Sequence, residues 1–179
     1  MGHKHEKDDI LAGAMEVAMA EGLSRLSFGR VARRVGINDR TVVYYFPTKT
    51  DLVSEVLFSV GAEMRATLEA AFTSNAANGR ELAKAAWPVL ASDEADPLFA
   101  LFFEATGLAS AGQEPYRSLV PVLIEAWVEW AERLIEGPEE LRRGEAESAV
   151  ALTDGLLLLR QLVGPEPAQR AARRLGLVD

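Results

Sequence analysis

The chain has 179 residues, 49% of them hydrophobic, with 19 basic against 27 acidic side chains and a net charge of −8. The absence of cysteine excludes disulfide frameworks and thiolate metal sites. No apolar run, that around Leu156–Leu159 included, approaches the ~20 residues a membrane span needs, and MGHKHEKDDI at the start lacks the apolar core of a secretory signal. These features predict a soluble, cytoplasmic protein able to bury one core, or a small domain joined to a larger one. Charge is unevenly spread. From Gly22 to Thr50 the basic residues Arg25, Arg30, Arg33, Arg34, Arg40 and Lys49 face the single acid Asp39. That window is +5 in a chain of −8, which leaves −13 for the rest. A positive segment on an acidic body suits a polyanionic partner.

Apolar residues Ile10, Leu11, Ala14, Met15, Val17 and Ala18 recur at helical spacing and predict a first helix over residues 8–21, stopped by Gly22. Ser27 precedes Phe28, Val31, Ala32 and Val35, an i, i+3, i+4, i+7 face, and is the expected N-cap of a second helix ended by Gly36. Ile37 plugs the corner. Asn38 caps a third helix running to Phe46, with Val42 and Phe46 as its core pair and Pro47 as its stop. A fourth helix starts near Thr48 and continues to about Phe72. Residues 74–79 (SNAANG) read as a loop. A fifth helix is expected over 80–92, kinked at Pro88. Asp96-Pro97 starts a sixth over 97–110, by an N-cap followed by proline at the first helical position. A seventh runs from Pro115 to about Glu136. Residues 139–144 read as a charged linker, followed by an eighth helix over 145–163 and a short basic helix over 167–175. No alternating strand pattern is present. The predicted class is all-α: a three-helix head containing a helix-turn-helix, at residues 1–50, followed by a helical dimerisation and ligand-binding body at 51–179.

The second and third helices are about nine residues each, shorter than the ~12–15 that hold together alone in water. They must be stabilised by packing on each other and on the first helix, which is the helix-turn-helix arrangement. One face of the third helix is left without partners. It carries Arg40, Val43, Tyr44 and, toward its edge, Tyr45. A helix fits the B-DNA major groove, and arginine to guanine is the commonest specific contact, so Arg40 is the candidate base reader. Ser27 with the free amides of the second helix, the tyrosine hydroxyls and Lys49 are candidate phosphate ligands. Asp39 has two readings: it favours the third helix through its dipole, or it accepts a bond from a cytosine amino group. Tyr45 is either a phosphate ligand or filling between the first and third helices. Arg33 and Arg34 have solvated surface as their other reading, and Arg34 is read so. Phe28, Val31, Val42 and Phe46 are expected in the core.

Residues 8–57 resemble the N-terminal DNA-binding domain of the TetR (tetracycline repressor) family. The resemblance rests on Ala32-Arg-Arg-Val-Gly36, Ile37, Thr41-Val42, Tyr44-Tyr45-Phe46-Pro47, Lys49 and Asp51-Leu52-Val53. It implies a homodimer whose heads read a palindromic operator and whose body binds a small molecule that releases the DNA. It implies contact roles for Thr41 and Lys49 beside those above. Family members commonly have tyrosine where this chain has Val43, a change that offers an apolar surface to a thymine methyl.

The eighth helix, with Leu152, Leu156, Leu157, Leu158, Leu159, Leu162 and Val163, is apolar nearly all round. So is the seventh, with Leu119, Val122, Leu123, Trp127, Val128, Trp130 and Leu134. Such helices are buried on several sides, either in their own core or against a second copy through the helices near 115–136 and 145–163. The sixth helix carries Phe99, Phe102 and Phe103 beside the single acid Glu104. With Met64, Trp87, Trp127 and Trp130 these are candidates for a pocket taking a small, mostly apolar ligand, a cation included. The other reading is a filled core with Glu104 in solvent or paired with an arginine. No catalytic constellation, phosphate-binding glycine loop or metal-ligand pair is expected; His3 and His5, the only histidines, fall in the N-terminal tail. The rival class is a helical regulator or adaptor without small-molecule induction.

Overall fold

The computed structural model describes residues 7–72 and 74–178, so His3 and His5 lie outside the described residues. The described residues form α1 (Lys7–Glu21), a 3₁₀ turn (Leu23–Arg25), α2 (Phe28–Val35), α3 (Asp39–Tyr45), α4 (Lys49–Ala71), α5 (Gly79–Leu90), α6 (Asp96–Ser110), α7 (Tyr116–Arg133), α8 (Glu139–Val163) and α9 (Pro165–Arg174). Among them there is no strand, and the fold is all-α. The chain packs as two compact units. One comprises residues 1–62 and 101–120; the other comprises 63–100 and 121–179.

In the first unit α1, α2 and α3 pack around Ile10, Ala14, Val17, Val31, Val42 and Phe46, all buried, together with Leu52, Val53 and Val56 of α4. Phe28, expected with them, is only half-buried. Local chemistry sets the boundaries. Gly36 takes the left-handed conformation (φ 78°) that L-residues resist, and its amide closes α2 on Ala32 O. The Asn38 side chain accepts from the amides of Arg40 and Thr41 at the start of α3. Thr48 and Asp51 cap α4 reciprocally: Asp51 Oδ2 accepts from the Thr48 amide (2.9 Å), and Thr48 Oγ1 accepts from the Asp51 amide (3.1 Å). Ser27 stands at the N-cap of α2 in extended backbone, but its hydroxyl makes no capping bond. The 3₁₀ turn before it was not expected from the sequence.

In the second unit α8 packs between α5 and α9. Leu82, Val128, Ala131, Ile135, Ala146 and Ala149 form one buried cluster. The stretch read as a charged linker, residues 139–144, is the first part of α8. Glu139 and Glu140 occupy its first turn, where they favour the helix dipole. Arg143 holds Glu125 through two bonds (2.7 and 2.8 Å) and Glu147, one turn on, at 2.9 Å. Charged side chains here decorate a helix instead of breaking it. Helix α7 ends at Arg133, not near Glu136, because Ile135 leaves to form a bridge with Ala76. Arg160 of α8, almost wholly buried, is neutralised by Asp96 (2.6 and 2.8 Å) and Asp93 (2.7 Å).

Candidate nucleic-acid interface

The outward face of α3 follows from its inward one. Val42 and Phe46 are fully buried, which turns Arg40, Val43 and Tyr44 away from the core at i, i+3, i+4 spacing. Tyr44 is 79% exposed and Val43 39%. Tyr44 meets Tyr45 edge to face with ring centres 5.1 Å apart, and Tyr45 and Thr41 are half-buried. Beyond that contact, Tyr44 is left largely in water on a helix of seven residues. It is available to a partner.

Ion pairing then sorts the basic residues. Arg30 is paired with Glu21 and Arg34 with Glu16. Arg25, Arg33, Arg40 and Lys49 are exposed and have no ion pair among the described residues. These cations, on the 3₁₀ turn, at the end of α2, on α3 and at the start of α4, are therefore not spent in ion pairs. Ser27 is exposed, with its hydroxyl free of any cap and the first amides of α2 beside it. Two acids stand in this region: Asp51, engaged in capping α4 with Thr48, and Asp39. A Cβ on Gly29 would stand 3.3 Å from Asp39 Oδ2, so this carboxylate lies over the first turn of α2 as well as in the first turn of α3. Both helix ends present partial positive charge, which offsets its own.

Helix α6 supplies a grip on this unit that sequence reasoning missed. Glu104 Oε2 accepts from the Leu23 amide (2.8 Å) and Oε1 from the Ser24 amide (2.9 Å), across some eighty positions of chain. The Tyr116 hydroxyl donates to the Leu23 carbonyl (3.3 Å). Gly22, at φ 88°, has Glu104 Oε2 2.9 Å from where a Cβ would be, so only glycine lets the carboxylate approach. Burial, and secondarily the charge of Glu104, push the Tyr116 phenol up to about 12.

The other residues predicted to line a pocket divide between the units. Phe102 and Phe103 share the first unit with Glu104, their rings 5.5 Å apart. Met64, Trp87, Phe99, Trp127 and Trp130 belong to the second. There Trp87 is buried and donates from Nε1 to Gln169 (3.1 Å), while Trp130 donates from Nε1 to Glu69 (2.8 Å). Met64 is buried, and Phe99 and Trp127 are half-buried.

Comparison with known proteins agrees with this geometry. The sequence profile of bacterial regulatory proteins, tetR family, matches residues 10–56, the segment that holds α1 to α3 and the start of α4. The match covers the head alone, which is similar to the DNA-binding segment of that family. The whole TetR-like fold recurs in solved structures. A TetR transcriptional regulator from Legionella pneumophila is 23% identical, with TM-score 0.66, over 97% of this chain and 96% of its own. A transcriptional regulator from Rhodococcus sp. Rha1 is 19% identical, with TM-score 0.74, over 97% and 96%. The multidrug binding protein EbrR, complexed with proflavin, is 24% identical, with TM-score 0.60, over 94% and 98%. No curated protein sequence matches the chain. The all-α fold, with a helix-turn-helix at its start, is the one these solved structures share.

Proposed function

We propose that this protein is a homodimeric, cytoplasmic repressor that binds a palindromic operator sequence-specifically and is released from it by a small hydrophobic ligand. The observation that carries the DNA half of this reading is the face of α3, where Arg40, Val43 and Tyr44 stand exposed beside unpaired cations. In this reading residues 1–50 do the DNA work. Arg40 reads a guanine, Val43 meets a thymine methyl, and Ser27, Thr41, Tyr44, Tyr45 and Lys49 hold phosphates. Asp39 shapes the helix ends and keeps the head from binding every duplex alike. Residues 51–179 dimerise and receive the ligand. Leu158, Leu162 and Val163 on α8 and Val122 on α7 are exposed apolar side chains of the kind that a second copy covers. EbrR, which shares the fold, was solved with proflavin bound, and that supports a ligand for the body here.

A mobility-shift titration on the DNA upstream of the gene tests this reading. The expected outcome is a dimer bound to one inverted repeat, with affinity that falls steeply as salt rises, because phosphate contacts release counterions. No shift at low salt on any upstream fragment would favour an adaptor that does not touch DNA. A shift that no ligand panel reverses would favour a regulator without small-molecule induction.

A further inference from the structure

We infer that Arg65, backed by Trp127, is a receptor for the carboxylate of an amphipathic organic anion. The inference rests on the reading of the body as a ligand-binding domain and names the class of ligand. Arg65 and Glu69 stand one turn apart on α4, and such a pair ordinarily closes on itself. Here it does not. The Glu69 carboxylate is taken by Trp130 Nε1 of α7 (2.8 Å). The Arg65 guanidinium lies over the ring of Trp127, 5.8 Å from its centre. Arg65 Nε is fully enclosed and has no hydrogen-bond partner, and the residue has no ion pair among the described residues. A half-buried cation therefore carries an unsatisfied donor and no counter-ion.

The chemistry of that arrangement selects its guest. A planar guanidinium over an indole still offers its terminal N–H donors as a fork, which matches a carboxylate at two points. Trp130 meets Trp127 edge to face at 5.3 Å and is stacked on Phe72 at 5.9 Å, so the wall beside the charge is aromatic. An apolar, preferably aromatic, ligand body fits such a wall. The sign of the charge is decided by what is already occupied. Glu69, one turn from Arg65, hydrogen-bonds the Trp130 indole and does not pair with the guanidinium. At Arg65 itself the group without a partner is a cation, which calls for an anionic guest.

The test is calorimetric titration of the full chain with 2-naphthoate and with 2-naphthylmethylammonium, which share a ring system and differ in charge. Wild type is expected to bind the carboxylate at least ~tenfold more tightly than the ammonium, and Arg65→Gln to lose about thirtyfold for the carboxylate alone. Arg65→Lys should recover part of the loss, since it restores charge without the two-point fork. Preference for the ammonium, no heat with either probe, or an unchanged carboxylate affinity in Arg65→Gln would overturn the inference. Mobility shifts on the operator separate it from the reading it rests on. Arg65-dependent naphthoate binding that leaves the DNA complex intact upholds the anion site and removes the effector role. Release of DNA by the ammonium, equal in wild type and Arg65→Gln, upholds the effector role and removes the anion site.

Discussion

Replacing Glu104 by alanine should loosen the head from a position far along the chain. The side chain accepts two backbone bonds, from Leu23 at 2.8 Å and Ser24 at 2.9 Å. Hydrogen bonds to a charged group contribute ~1.5–3 kcal/mol each, and a buried amide left without a partner costs about 1–3 kcal/mol. Ser24 N lies at the surface and water can replace the carboxylate there; Leu23 is fully buried and its amide would be stranded. The Tyr116 bond to the Leu23 carbonyl survives. The net expectation for Glu104→Ala is a loss of about 2–3 kcal/mol, and for Glu104→Gln, which keeps an acceptor without the charge, about 1 kcal/mol. Urea denaturation with an unchanged m-value measures both. Operator affinity should fall with them, because the turn held by Glu104 leads directly to Ser27 and the first amides of α2. Phenol titration adds an independent readout. Tyr116 should titrate lower in both variants but stay above its ordinary value of 10.0, since burial is the larger cause of its shift. The raised value also means that stability falls as pH climbs from 10.0 toward about 12, where the unfolded phenol ionises first. A Glu104→Ala protein within ~0.5 kcal/mol of wild type, with an unmoved phenol titration, would refute the grip.

Four further substitutions separate the remaining assignments. Asp154 is pushed up from 3.8 to about 6 by burial alone, so the folded state holds a proton that the unfolded state has released. Stability from this group is therefore lost between those two values. Asp154→Asn should stabilise the protein by about 2 kcal/mol at pH 7, a figure reduced for partial exposure, and by nothing below pH 3.8, as denaturation at the two pH values will check. Arg40→Ala should cost ~1–3 kcal/mol on the operator and relax preference at one base position, measured by competition with single-base variants. Lys49→Ala should weaken all sequences alike and reduce the salt slope by about 1; a sequence-selective loss would show that Lys49 reads bases. Leu162 is 75% exposed on α8, so Leu162→Asp should leave thermal stability of the monomer intact while sedimentation shows the dimer dissociating. A dimer unaffected by that charge would move the interface elsewhere.

Most of the head is legible in the order of its residues. Its boundaries are made by groups a few residues apart: Asn38 with the amides of Arg40 and Thr41, Gly36 with Ala32, Thr48 with Asp51. Each is a local contest between backbone and side chain, and each leaves a mark in the chain. The exposed face of α3 is legible for the same reason, since burying Val42 and Phe46 fixes where Arg40 and Tyr44 point. Residues 139–144 mislead because charge density marks loops only on average; the pairings of Arg143 with Glu147 and Glu125 stabilise a helix there.

The sequence alone determined an all-α chain with a positive, aromatic-bearing helix-turn-helix at its start, because periodicity and capping act over a turn or two of helix. Only the tertiary structure decided which charges are spent and which remain. Arg30 and Arg34 are neutralised while Arg33 and Arg40 are not. Glu104 is drawn to amides some eighty residues away, Glu69 to the indole of Trp130, and Arg65 is left without a counter-ion. Those outcomes depend on which side chains meet when distant segments pack, and the spacing of residues along a chain carries no record of that.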